Sequence, residues 1–228
     1  MNLVIDDAMV IILAPHLKYP TRNGADIYVE RLGRYLSVQR EALIILGMDT
    51  ITHYEDGVQV RQEMYKNSLH TNIWAALLTL SKGSHYLFEK FITPSYFAKA
   101  SELITTYPGS LILCSYICSA TLVKKFESSN PVVVITHNNE IAWFNNLFYN
   151  TKNPIQKLIA WLSRLWVIRF LKQHAQDYIF AHITEDDYHG YEQIIPDHHA
   201  LIVPAGVEIS SLPQQNDWDG YIYLLFCG

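Results

Sequence analysis

Apolar residues gather into short unbroken runs, and longer amphipathic stretches separate them. Met9–Ala14, Ala42–Leu46, Leu111–Cys114, Pro131–Thr136, Tyr178–Ile183 and Ala200–Val203 lack polar alternation, as strands covered on both faces do. Between them, about Ala25 to Ser37 sets Tyr28, Leu32, Tyr35 and Leu36 on one helical face. Further helices are predicted near Leu69–Leu80, Ser95–Thr106, Ser119–Phe126 and Glu185–Ile194, and Ile51–Glu63 reads as a hairpin around Glu55-Asp56-Gly57. Strands alternating with helices predict an α/β fold with a doubly wound, mostly parallel sheet.

Pro154 opens a long helix to about His174, since a proline in the first turn gives up little. Ile155, Leu158, Ile159, Leu162, Leu165 and Trp166 form a stripe expected to pack on the sheet. Trp161, Ile168 and Leu171 add a second apolar face beside Lys157, Arg164 and Lys172. One reading packs that face between two other elements and buries Trp161. The other lays it in a membrane interface as a peripheral contact. The polar stretch Leu212–Asp219 reads as an interdomain linker, and Asp219–Gly228 as a strand entering a glycine turn. The expected division is a domain over residues 1–211, then 212–228 as linker and first strand of a second, missing domain.

With 228 residues, half of them hydrophobic, the chain can bury a full core. Its 17 Lys and Arg against 22 Asp and Glu argue against a nucleic-acid binder, which needs a basic face. An odd cysteine count of three, with Cys114 and Cys118 near an apolar strand, reads as buried free thiols in a reducing compartment. Asp6 and Asp7 stand where a secretory signal would be basic, and no apolar run approaches the roughly 20 residues of a membrane span. The expected location is cytoplasmic, with the membrane's inner face as the one peripheral contact. Histidines 174, 182, 189, 198 and 199 fall on different predicted elements, so no metal site is expected.

The sharpest chemical feature is the strand ending in Thr136-His137-Asn138-Asn139-Glu140. Ligands of open α/β sheets bind just past the carboxyl ends of such strands. A neutral His137 can accept from a ligand hydroxyl or donate to a developing charge, or it can serve as a cap or bond a neighbouring carbonyl. Glu140 can orient His137 or cap the helix that follows. Ser115 and Tyr116 follow the Leu111–Cys114 strand, so they also stand at a carboxyl end. In the first turn, Gly24 and Ala25 open a helix whose dipole favours a phosphate, or the glycine simply permits the turn. Thr184 reads as the N-cap of a helix starting at Glu185, structural first and ligand-facing second.

These segments, in this order, resemble the amino-terminal domain of a family 4 glycosyltransferase. Such enzymes are retaining and have the GT-B architecture of two facing Rossmann-like domains. The resemblance rests on Pro20-Thr-Arg-Asn-Gly24-Ala25, His137-Asn138-Asn139-Glu140, Thr184-Glu185-Asp186-Asp187, Val203-Pro204-Ala205-Gly206-Val207-Glu208 and Leu224–Gly228. Ala25 and Ala205 depart from the family's glycine and asparagine at those places.

The resemblance implies transfer of a sugar from a nucleotide-diphosphate-sugar to a sugar, lipid or other small acceptor, without metal or other cofactor. It implies that His137 is catalytic, contacting the donor sugar. Gly24, Ala25, Tyr116, Thr136, Asn138, Glu140 and Glu185 would bind substrate. The donor's nucleotide would be held mainly by the missing domain, leaving this chain incomplete and inactive alone. The alternative is a non-catalytic binding subunit, or a remnant, that needs a separate donor-binding chain. A dinucleotide-dependent oxidoreductase is disfavoured by the missing G-x-G-x-x-G and by Leu46-Gly47-Met48, which puts no acid after the second strand.

Overall fold

The computed structural model describes residues 9–21, 23–39, 42–126 and 130–204. The expected linker and strand over 212–228, and Ala205-Gly206-Val207-Glu208, lie outside the described residues.

Eight described strands form one sheet: β1 (Val10–Leu13), β2 (Ala42–Leu46), β3 (Thr50–Glu55), β4 (Val58–Met64), β5 (Leu111–Ser115), β6 (Val132–Thr136), β7 (Ile179–His182) and β8 (Ala200–Ile202). Their spatial order is β4-β3-β2-β1-β5-β6-β7-β8. All neighbours run parallel except β2–β3 and β3–β4, which form the expected hairpin on one edge. The chain moves from β1 outward to β2, then returns to lay β5 on the other side of β1. That reversal is the topological switch point, and it opens a crevice beyond the carboxyl ends of β1 and β5.

The helices are α1 (Gly24–Gln39), α2 (Asn72–Lys82), α3 (Tyr86–Phe91), α4 (Pro94–Thr106), α5 (Ile117–Lys124), α6 (Glu140–Asn150), α7 (Pro154–His174) and α8 (Glu185–Glu192). Parallel crossovers are right-handed, so reversing the direction of travel moves the helices to the opposite face. Accordingly, α1 covers one face through Val29, against Val10, Ile12, Leu43 and Ile45. Ala100 of α4, Leu122 of α5, Phe144 of α6 and Phe170 of α7 join Ile11, Leu13, Ile44 and Val134 on the other. Strand residues alternate between the two cores, which is why these strands read as continuous apolar runs. In α1, a β-carbon on Gly33 would lie 2.6 Å from Ile45 Cδ1, so the glycine sets how closely the helix approaches β2.

Two expectations are corrected. The helix predicted near Leu69–Leu80 is α2, shifted later by the Thr71 cap, and α3 follows it unforeseen. At six residues α3 is too short to carry a helical period. In α7 the buried stripe is Ile159, Ala160, Ser163, Val167, Phe170 and Leu171. Ile155, Leu158 and Leu165 of the expected packing stripe are exposed instead, as is Trp161. Both stripes repeat at helical spacing, so periodicity alone could not choose between them. Among the described residues no helix is long and apolar enough to cross a membrane.

Candidate functional site

A cleft of about 310 Å³ lies at the switch point, lined by residues following β1 (Pro15, His16), opening α1 (Asn23), following β5 (Tyr116, Cys118), and following β6 (Asn138, Glu140). Leu87 and Phe91 of α3 and Trp143 of α6 complete it with an apolar wall. A lining that mixes polar groups with apolar and aromatic side chains suits a small ligand with both hydroxyl and hydrocarbon faces.

Strand parity sorts the side chains at this end. Val133 and Ile135 face the α1 side, and His137 continues that side. Its ring lies edge-on to Tyr28 of α1, with centroids 5.4 Å apart. Ser115, on the same side of neighbouring β5, is fully buried and its Oγ stands 2.7 Å from His137 Nε2. Thr136 faces the other way. Its hydroxyl pairs with His182 Nδ1 at 2.8 Å, beneath α8 and away from the cleft.

His137 does not form the cleft wall expected of it. It is buried behind His16 and Tyr116, with ring centroids 5.8 and 4.8 Å away. Burial pushes its imidazole down to about 4, so the ring is neutral near pH 7. His16, which does line the cleft, is pushed down to about 3 by burial and then by neighbouring His137. Neither ring nitrogen of His16 has a hydrogen-bond partner, and neither has Nδ1 of His137. Asp26 Oδ1 is likewise unpartnered, 3.6 Å from His16 Nε2. Burial raises the Asp26 carboxyl, against the opposing effect of its bond from Asn23. Buried polar atoms normally find partners, and these four lie close together beside the cleft.

Tyr116 joins β5 to α5 with φ 70° and ψ 157°, a conformation glycine adopts and tyrosine resists. Holding it costs on the order of 1–3 kcal/mol, and such strain concentrates at functional sites. Its ring is edge-on to His16 at 4.8 Å, so the strained backbone sets the aromatic side chain into the cleft.

Glu140 neither orients His137 nor caps its own helix. The Ile117 N–H donates to Glu140 Oε1 at 2.9 Å, so this buried carboxylate caps the neighbouring α5. Asn139 is the N-cap of α6, its Oδ1 accepting the Ala142 N–H. Glu140 Oε2 faces His85 Nε2 at 3.4 Å. His85 Nδ1 accepts the Phe88 N–H, which leaves its Nε2 on the side of Glu140.

Gly24 and Ala25 open α1 beside the cleft. Nothing lies within 4 Å of where a Gly24 β-carbon would be, so its backbone faces open space. Asn138 lines the cleft, while Glu185 is exposed past β7, two strands from the β5 side of the switch point. Thr184 caps α8 as expected, accepting the Asp187 N–H. The fold thus brings Gly24, Ala25, Tyr116, Asn138, Glu140 and His137 to one end of the switch crevice, leaving Thr136 and Glu185 apart.

His16 and Asp26 escaped the sequence reading. The rule that singled out His137, a polar residue just past a strand's carboxyl end, applies equally to His16. Asp26 was legible as an acid in a first helical turn. Histidines 182 and 198, which fall on different predicted elements, meet through their Nε2 atoms at 3.0 Å because β7 and the segment before β8 are neighbours.

No protein-family profile, curated protein or solved structure matches this chain.

Proposed function

We propose that the chain is the acceptor-side, amino-terminal half of a retaining GT-B glycosyltransferase, using a nucleotide-diphosphate-sugar as donor. The observation carrying this reading is the His16 ring, which lines the cleft together with Trp143 and has no hydrogen-bond partner on either nitrogen, with further unpartnered atoms on Asp26 and His137 near it. Sugars present hydroxyls that both donate and accept, along with C–H faces that pack on aromatic rings. Neutral imidazoles meet both needs, because each ring offers one donor and one acceptor nitrogen. In this reading His16 binds acceptor hydroxyls, and Asp26, 3.6 Å from its Nε2, positions the ring. His137, held by Ser115, sets the ring positions of His16 and Tyr116 and reaches the reaction centre through them. The resemblance in the segments around Pro20, His137 and Thr184 supplies the reaction class.

Saturation-transfer NMR on the chain with simple glycosides, and separately with nucleoside diphosphates, tests the reading. Glycosides should give signals that disappear in His16→Ala, while nucleoside diphosphates alone bind weakly. Tight nucleotide binding without glycoside binding would overturn it and favour a dinucleotide enzyme.

A further inference from the structure

The exposed stripe of α7 has an unusual charge setting. Ile155, Leu158, Trp161 and Leu165 repeat every three or four residues and are 57%, 46%, 43% and 40% exposed. Arg169 and Lys172, both exposed, continue the same face toward the helix end. Residues 141–176 contain no Asp or Glu, yet hold Lys152, Lys157, Arg164, Arg169 and Lys172. The remainder of the chain carries all 22 acids against 12 Lys and Arg, so this segment is a cationic island on an acidic protein. Helix α2, which packs against α7, has no acid either and exposes Ile73, Trp74 and Leu77.

We propose that this α7 stripe, with the exposed face of α2, docks the protein on an anionic lipid bilayer. The chemistry fits an interfacial helix: tryptophan and aliphatic side chains enter the headgroup boundary while flanking cations meet lipid phosphates. The opposite stripe is already occupied, because Val167, Phe170 and Leu171 are in the core. The helix therefore lies along the surface and does not span it. Helix α3, which lines the cleft through Leu87 and Phe91, packs on this helix: the Tyr86 N–H at its start donates to Ser163 Oγ of α7 at 3.1 Å. This inference goes beyond the transferase reading and does not depend on it.

The test is co-sedimentation of the full chain with phosphatidylcholine vesicles and with vesicles containing about one-third phosphatidylglycerol, without any sugar present. Binding should require the anionic lipid and fall at least about tenfold between about 50 and 300 mM salt, as the screening length shortens. Trp161→Ser with Leu165→Ser should weaken it by about tenfold or more. Arg169→Gln with Lys172→Gln should weaken it roughly fivefold per charge removed. Both pairs lie on the solvent face, and unchanged melting temperatures would confirm intact folding. Quenching of the unmodified protein's tryptophan fluorescence by brominated lipid chains reports insertion independently of any variant. Absence of anionic-vesicle binding, or binding indifferent to both pairs, would overturn the proposal. So would self-association that Trp161→Ser abolishes without any vesicle binding, which would assign the face to a second copy. Glycoside binding in the cleft is measured separately, so either idea can fail alone.

Discussion

The Ser115 hydroxyl lies 2.7 Å from His137 Nε2, joining the carboxyl ends of β5 and β6 on the α1 side of the sheet. Both residues are buried, so neither can exchange the other for water. Ser115→Ala should leave an imidazole nitrogen buried without a partner and cost about 1–3 kcal/mol. Urea denaturation measures this. An unchanged midpoint would mean that the bond contributes nothing to the folded state.

Glu140→Ala removes the acceptor for the Ile117 N–H and the negative charge at the amino end of α5. The expected loss is about 1–3 kcal/mol, and Glu140→Gln should recover part of it by keeping an oxygen in place. Chemical denaturation of both variants separates the hydrogen bond from the charge. Equal losses in the two would assign the whole effect to charge.

Acid should destabilise the protein early. His16 and His137 fold with their pKa values pushed down to about 3 and about 4, from an ordinary value of 6.5. Their contribution is fully present above pH 6.5 and is lost as pH falls toward those folded values. Between pH 6 and 4 the unfolded chain binds the extra protons, and each histidine contributes a slope of at most about 1.4 kcal/mol per pH unit, steepest near pH 5. Burial also lowers His182, which acts in the same sense. Burial lowers His198 as well, and Asp26, which is raised, opposes these four histidines. Stability measured across this range should decline with acid, and a His16→Gln variant should decline less steeply. Identical slopes would contradict a buried neutral His16.

Gly33→Ala should destabilise despite alanine's helix preference of about 1 kcal/mol, because overpacking against Ile45 costs roughly 1–3 kcal/mol. Pairing it with Ile45→Val removes the Cδ1 that the new methyl meets. The double variant should therefore lose less than the two single losses added together. Strict additivity would show that α1 shifts freely on the sheet.

The sheet was legible because parallel strands buried on both faces leave unmistakable apolar runs, and Ile11–Leu13 and Val132–Ile135 are such runs. The hairpin announced itself through Asp56-Gly57, both of which have positive φ. The choice between the faces of α7 was not legible, since Ile155, Leu158 and Leu165 repeat as helically as Ile159, Ser163 and Val167. Cleft membership was half legible. Position past a strand identifies candidates such as His137, but side-chain parity and the depth behind Tyr116 decide which ring meets the cavity. The distance between Glu140 and Ile117, 23 residues apart, belongs to tertiary structure and has no local signal.

The most direct measurement is the imidazole ¹⁵N spectrum of the chain, recorded with and without a saturating glycoside. Free His16 and His137 should be neutral at pH 7. On adding the sugar, His16 nitrogens should shift most and His137 less, while His182 and His198, held by their own bond, stay in place. Shifts confined to exposed His189, or a His16 signal unmoved by any glycoside, would contradict the claim that this cleft receives a sugar.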